Sequence, residues 1–190
     1  SYVRIINKGN IYGMGGAGGN GGNTTNPTFV DGSVGSIGGN AINIQCRTDI
    51  DNYAYVFSGG GGGGGAAGMT NGSGAGYGGS SGGGAQGYGT SGHGSPGISS
   101  GWAGNITGDS YRASASGNQS GPGVGGAIIF VNDGGIGGAW GVAGNAASRI
   151  IGSGGTNGAG GAAGKAVSLN GNTLEWISGN NGTQVKGAVA

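Results

Sequence analysis

Cysteine, histidine, proline and charge are all scarce in this chain of 190 residues. A lone Cys46 excludes an internal disulfide framework. A lone His93 leaves neither a zinc site nor a Ser-His-Asp triad standing out. Three prolines are far too few for a collagen helix, which also needs a strict Gly-X-Y period. Seven basic and six acidic residues give a net charge of +1, so there is no electrostatic footprint for nucleic acid or anionic lipid, and neither partner is expected. No apolar run approaches the ~20 residues of a membrane span and no signal peptide is visible, so membrane insertion is not expected. The chain begins at Ser1 rather than Met, as a processed product or a domain of a longer protein would.

Motifs that would signal catalysis or a cofactor fall away on inspection. The pattern G-x-G-x-x-G arises several times by chance in so glycine-rich a sequence and carries no weight for dinucleotide binding. The stretch AGGAAGKA (159–166) starts on Ala159 and has no Ser or Thr after Lys165, so it is not a phosphate loop. Asp49, Asp51 and Asn52 lack the loop glycine and distant glutamate of an EF-hand and read as a solvated turn between strands. Asp31, Asp109, Asp133 and Glu175 are scattered, and nothing favours a carboxylate pair. The reading therefore assigns no metal, no cofactor and no catalytic residue, and the protein is not read as an enzyme.

What the sequence has instead is 58 glycines, placed with a period. GSGGTNGAGGAAG (152–164) has glycine at 152, 155, 158, 161 and 164; GMGGAGGNGG (13–22), GSVGSIGG (32–39) and GIGGAWGVAG (135–144) repeat the spacing, and SGGGGGGGAAG (58–68) is bare on every face. An α-helix repeats every 3.6 residues and a strand every two. Three per turn is the period of polyproline II, whose amides and carbonyls point outward. Side-chain-free faces let such helices pack closely enough to exchange backbone hydrogen bonds and Cα–H···O contacts, as a polyglycine-II bundle. Glycine density then sets depth: 59–65 belongs in the interior. Segments 32–39, 135–144 and 152–164 belong outside, with Val34, Ile37, Trp140 and Val142 pointing away. Ordering a residue costs roughly 1–2 kcal/mol and a hydrogen bond returns about 0.5–1.5, so the bundle is near balance.

Apolar runs must tip that balance: YVRII (2–6), AINIQC (41–46), YAYVF (53–57), AIIFV (127–131) and TLEWI (173–177) read as short strands forming small cores at the segment ends. Cys46 is expected buried and inert in one of them. LNGNTL (169–174) reads as a hairpin around an Asn-Gly turn. With helices running up and down, apolar linkers should gather at one end, with the N-terminal strand, and polar linkers at the other. The expected fold is all-β or irregular by standard classes, without significant α-helix: a sandwich of polyglycine-II helices joined by short β-strands and long variable loops. It forms one domain over 1–190, with an N-terminal strand region at 1–12, the sandwich over 13–190, and loops at 23–31, 69–120 and 145–151.

The long polar stretch 69–120 loses the threefold register and gains Tyr77, Tyr88, His93, Trp102, Tyr111 and Arg112 in a Gly/Ser/Asn background. That is the composition of recognition loops, where rigid aromatics supply area and small polar residues supply adaptable hydrogen bonds. Long loops on a rigid scaffold commonly carry function. The competing reading has each aromatic covering the side of the bundle. Phe29 and Trp140 are further candidates for contact with a partner.

These motifs, together with the C-terminal LNGNTLEWISGNNGTQVKGAVA (169–190), resemble the receptor-binding adhesins at the tips of bacteriophage tail fibres, above all the T-even-like long-tail-fibre adhesins. The resemblance implies a virion protein whose polyglycine-II sandwich holds variable loops against a bacterial outer-membrane protein or lipopolysaccharide. Segments 23–31, 69–120 and 145–151 would be those loops, and the rest of the fibre would join at the apolar end. An ice-binding protein with a flat face of small residues on such a bundle is the alternative, against which the aromatic-bearing interruption of the glycine tracts argues.

Overall fold

The computed structural model describes residues 1–25, 28–70, 76–77, 80–87, 114–128, 132–149 and 153–190. Among them there is no helix, and extended segments lie side by side. The threefold glycine period is realised as a three-residue hydrogen-bond ladder. The amides of Gly13, Gly16, Gly19 and Gly22 donate to the carbonyls of Phe57, Gly60, Gly63 and Ala66 at 2.7–2.8 Å. Segments 13–22 and 57–66 therefore run parallel, three residues to a step. That is the repeat and lateral bonding expected of packed polyglycine-II helices.

Segment 59–66 lies at the centre of six others. The amides of Gly59, Gly62 and Gly65 donate to 33–39, those of Gly60, Gly63 and Ala66 to 80–86, and those of Gly61 and Gly64 to Val142 and Asn145. The carbonyls of Gly60, Gly63 and Ala66 accept from Gly16, Gly19 and Gly22; those of Gly61 and Gly64 accept from Gly138 and Gly135; and those of Gly59, Gly62 and Gly65 accept from Gly164, Gly161 and Gly158. From Gly59 to Ala66 no backbone polar group is left over. The six neighbours also bond to one another around the ring: Ser33 to Asn20, Gly35 to Ala159, Gly144 to Gly161, Asn145 to Ile136, Gly83 to Gly135 and Gly82 to Gly19. Segments 114–118 and 121–126 extend the array beyond 80–87, with Gly84 N–H donating to Ala115 and Gly123 N–H to Gly84.

Glycine is required here because backbone occupies the side-chain positions. A Cβ on Gly62 would overlap the Ala17 carbonyl, one on Gly63 that of Gly135, and one on Gly64 that of Gly158. Three successive residues thus aim at three different neighbours. At the outer positions Val34 and Ile37 are exposed, at 62% and 71%, as the spacing predicts. Two segments were hidden in the polar stretch. Residues 80–87 and 114–118, expected as loop, are bundle. Ser80 and Ser81 fit because each hydroxyl finds a partner, Asn132 for Ser80 and Ser114 for Ser81. Residues 145–147 are likewise bundle, through Asn145 and Ala147 amides donating to Ile136 and Gly158.

At one end the chain winds into a three-sided coil of parallel strands. Strands β1 (Tyr2–Asn7) and β2 (Ile11–Tyr12) form its first turn. The bundle segments 13–22 and 32–39 follow, separated by β3 (Thr24–Thr25) and β4 (Thr28–Phe29), before β5 (Ile42–Asn43), β6 (Arg47–Asn52) and β7 (Val56–Phe57) make the second turn. The third turn is β14 (Lys165–Ser168), β15 (Leu174–Ser178) and β16 (Val185–Lys186), with β17 (Ala188–Val189) opening a fourth. Each side is one parallel sheet: β1-β6-β15, β2-β7-β16 and β5-β14-β17. Its interior holds Ile44, Ile50 and Val167, with Ile5, Ile42, Leu169, Leu174 and Trp176 packed against them. Between β16 and β17 the corner is one residue, Gly187, at φ +112°. At the same corner of the two earlier turns the chain leaves for 13–41 and for 58–164. The bundle is a pair of insertions at one corner of the coil.

This coil corrects several expectations. Asp49 and Asp51 are not in a solvated turn; they lie buried in β6, the central strand of its sheet. The Tyr2 hydroxyl donates to Asp49 Oδ2 at 2.6 Å, and Asp51 accepts from Ser178 Oγ at 2.6 Å, Tyr53 at 3.0 Å and Arg4 at 3.4 Å. Neighbouring strands and Tyr53 thus supply donors to Asp49 Oδ2 and to both oxygens of Asp51, as buried carboxylates require, while Asp49 Oδ1 has no hydrogen bond. Cys46 stands half-buried in the bend before β6, outside any strand. The Asn170-Gly171 turn forms, with φ +49° and +78°. Its flanking strands β14 and β15 nevertheless enter different sheets, so it is a corner of the coil and no hairpin.

Candidate receptor-binding face

Among the described residues the other end of the bundle carries antiparallel strands. The β3-β4 hairpin pairs Thr24 with Phe29. Strands β8 (Met69–Thr70), β9 (Gly76–Tyr77) and β13 (Ser153–Gly154) make a second sheet, and β3 lies against β9. Strands β10 (Ala127–Ile128), β11 (Asn132–Asp133) and β12 (Ser148–Arg149) make a third. The described ends of the apolar linker, Ala127–Ile128 and Asn132–Asp133, therefore sit here with the polar linkers. The expected separation of apolar and polar linkers fails because the additional segments 80–87 and 114–118 shift the up-and-down order by one pass.

The bases of these loops are fixed by short polar side chains. Asp31, just before the glycine tract at 32–39, accepts the Thr156 amide at 2.6 Å. Asn157 Oδ1 accepts the Ala67 amide at 3.0 Å and its Nδ2 donates to the Ala147 carbonyl at 3.4 Å. Asn132 is fully buried and takes the Ser80 hydroxyl on Oδ1. Met69, Ala66, Ala67 and Ala127 fill the space between them. These anchors escaped the sequence reading. Their only signal is an Asp or Asn beside a bundle glycine, as in Asp31-Gly32 and Asn157-Gly158.

Of the residues expected to touch a partner, Phe29 is 37% exposed on β4, beside Val30 at 49%. Tyr77 is in β9, opposite Met69. Tyr88, His93, Trp102, Tyr111 and Arg112 lie outside the described residues. Gly87 and Ser114, which flank the stretch that holds them, stand at opposite ends of the bundle. Gly87 is beside Trp140, and Ser114 is bonded to Ser81.

Trp140 points inward, against expectation. It is 8% exposed, stacks on Tyr12 with centroids 4.8 Å apart and lies 6.1 Å from Phe57. Its amide donates to Gln86 Oε1. It seals the junction of bundle and coil, where burying an indole outweighs exposing it. A cleft of about 310 Å³ lined by Tyr12, Met14, Gly87, Gln119 and Trp140 opens beside that stack, away from the loop bases. Among the described residues no three His, Cys, Asp or Glu side chains gather as for a metal ion, and no helix is long and apolar enough to cross a membrane.

The chain matches the family model described as phage tail fibre adhesin Gp38 over residues 1–190. No curated protein sequence matches it. It is similar to a chain in the crystal structure of the gp37-gp38 adhesin tip complex of the bacteriophage S16 long tail fiber, at 27% identity and a TM-score of 0.60. That alignment takes in 100% of this chain and 59% of the other, so the chain spans well under two thirds of that neighbour's length. A glycine bundle carried on a parallel coil, with the family match end to end, places the protein in the Gp38 family of phage tail fibre adhesins, extracellular components of the virion.

Proposed function

We propose that this adhesin recognises a receptor on the bacterial outer membrane, an outer-membrane protein or lipopolysaccharide, through the loops at the antiparallel end, and joins the rest of the tail fibre at the coil end. The observation that carries this reading is the division of labour between the two ends of a side-chain-free scaffold. One end has a packed apolar core. At the other, Asp31, Asn132 and Asn157 clamp the roots of loops whose exposed surface includes Phe29 and Val30. Fixing the base of a loop lowers the ordering cost met on binding, which favours affinity. The residues proposed to make contact are Phe29, Tyr77, His93, Trp102, Tyr111 and Arg112, in the loops that interrupt the bundle between 23 and 31, 69 and 79, and 88 and 113, with 148–151 as a further loop; Tyr88 directly follows Gly87 at the coil end and is left out. The reading involves no catalytic step. The ice-binding alternative finds no support in the family match.

Competition tests it. The purified protein should bind susceptible bacteria and block adsorption of the parent phage, while resistant strains leave it in solution. Loss of binding after protease treatment of the cells identifies a protein receptor; persistence, with competition by purified lipopolysaccharide, identifies the glycolipid. A folded protein that binds neither cells nor lipopolysaccharide and leaves adsorption unchanged overturns the reading.

A further inference from the structure

Asparagine followed by glycine is open to spontaneous loss of its side-chain amide, because no side chain shields the glycine nitrogen from the asparagine Cγ. The chain has five such pairs, at 20–21, 71–72, 157–158, 170–171 and 181–182. Pair 71–72 lies outside the described residues. The fold closes three of the other four. Gly158 N–H donates to the Gly65 carbonyl at 2.8 Å inside the bundle. Gly21 is buried within bundle segment 13–22. Asn170 is drawn back toward earlier residues: its Nδ2 donates to the Ile44 carbonyl at 3.1 Å and its Oδ1 accepts from Ser168 Oγ at 3.2 Å.

Asn181 is folded the other way. Its Oδ1 accepts the amides of Thr183 and Gln184, each at 3.0 Å, and its carbonyl accepts those of Gln184 and Val185 at 3.0 and 2.9 Å. A single turn is thus wound around Gly182, with the Asn181 side chain carried forward across it. Nδ2 donates to Gln184 Oε1. Among the described residues Gly182 N–H donates to no carbonyl, as the first amide of a turn does not. Nothing lies within 4 Å of the position its Cβ would take, and both residues are exposed.

We propose that Asn181 is a self-modification site, converted to isoaspartate without an enzyme. The Gly182 nitrogen adds to Asn181 Cγ, and the charge that builds on Oδ1 meets the Thr183 and Gln184 N–H groups, already aimed at it as an oxyanion hole. The N–Cγ bond forms, the Cγ–Nδ2 bond breaks, and Nδ2 leaves as ammonia with the Gly182 amide proton. Water then opens the cyclic imide: attack at the main-chain carbonyl leaves isoaspartate, and attack at Cγ leaves aspartate. The balance needs only water. The product carries a new carboxylate on a chain of net charge +1, and isoaspartate lengthens the main chain by one carbon at the corner that leads into β16. That corner is tied to the second turn of the coil. Val56 N–H donates to the Gln184 carbonyl at 2.8 Å, and Val185 and Lys186 pair with Val56 and Phe57. The modification therefore loosens β16 against β7.

The test is peptide mass mapping of the complete protein during storage at mildly alkaline pH, where the Gly182 amide proton is most readily removed, with isoaspartate marked by an isoaspartyl methyltransferase. In the folded protein Asn181 should react about tenfold or more faster than Asn20, Asn157 and Asn170, whose reaction waits on local opening. In denaturant all four should react within about threefold of one another, since the fold no longer separates them. Gly182→Ala puts a methyl into open space beside the attacking nitrogen. It should slow the reaction at 181 by about tenfold or more and keep its Tm through storage, whereas the Tm of the unsubstituted protein should drift down. A folded-state rate at Asn181 no faster than at the bundle pairs overturns the proposal. So does a rate at Asn181 that rises about tenfold or more on unfolding, because the turn then shields the amide instead of presenting it. Isoaspartate formed at 181 with melting unchanged overturns the loosening of β16.

Discussion

The side-chain amide of Asn7 donates to Asn52 Oδ1 across 2.7 Å, at the same corner of two successive turns of the coil. Asn52 passes its own amide on to the Gly179 carbonyl at 2.8 Å, in the third turn. Both asparagines are buried, and the ladder ties residues 45 and 127 apart in sequence. Replacing Asn52 with alanine leaves the Asn7 amide only a 3.4 Å bond to the Tyr55 carbonyl and removes the side-chain donor to the Gly179 carbonyl. It should lower unfolding free energy by about 2 kcal/mol, read as a reduced urea midpoint at unchanged m-value, with binding to cells unaltered at temperatures where the variant is folded.

Gly62→Val should abolish folding. The new side chain would collide with the Ala17 carbonyl from a segment closed in on all sides, and a penalty on the order of 4 kcal/mol or more is expected when backbone must move. Gly182→Ala is the control. Nothing lies within 4 Å of its added methyl and its φ is not in the left-handed region, so stability should hold or rise by about 0.4–1 kcal/mol. Circular dichroism melts of the two variants check the pair.

Trp140→Ala should cost about 3 kcal/mol by emptying the space between Tyr12, Phe57 and Gly87. Its effect should be confined to stability. Calorimetry would show a lowered Tm, and adsorption assays below that Tm would show cell binding like that of the unsubstituted protein.

Acid should loosen the coil. Hydrogen bonds from Ser178, Tyr53 and Arg4, of which Ser178 is the strongest influence, hold the Asp51 carboxyl below the ordinary carboxylate range. A depressed folded-state pKa gives stability that is fully present above the unfolded-state value, about 3.9, and lost as pH falls through the folded-state value. Tm should therefore fall as pH drops below about 4. In Asp51→Asn the acid-induced drop should be smaller, from a lower starting Tm at pH 7.

The glycine period made the bundle readable from the sequence because each residue's environment there depends on spacing alone: Gly62 is interior since 61 and 63 are bare too. The coil was not readable. Its strands β1, β6 and β15 are separated by the bundle, and β6 carries Asp49 and Asp51 where an isolated strand would show apolar alternation. Tyr2, Arg4 and Ser178, brought there by the fold, join the nearby Tyr53 and Arg47 in making those carboxylates compatible with burial. Segment 80–87 was hidden for a related reason: Ser80, Ser81 and Gln86 are admissible in the array through partners at Asn132, Ser114 and Gln119, distant in sequence. Of the candidate face, the anchors Asp31 and Asn157 are marked in the sequence only by the glycine that follows each, and Asn132 by nothing local.

Gly187 turns the coil with one residue at the corner where two other turns release 13–41 and 58–164. Everything proposed to meet the host thus hangs from two adjacent hinge points, Tyr12/Ile42 and Phe57/Lys165, whose strands already pair with each other's neighbours. A crossover in the genome at those codons would exchange a whole recognition head and leave its mounting intact, so host range could change by recombination without refitting the joint to the virus.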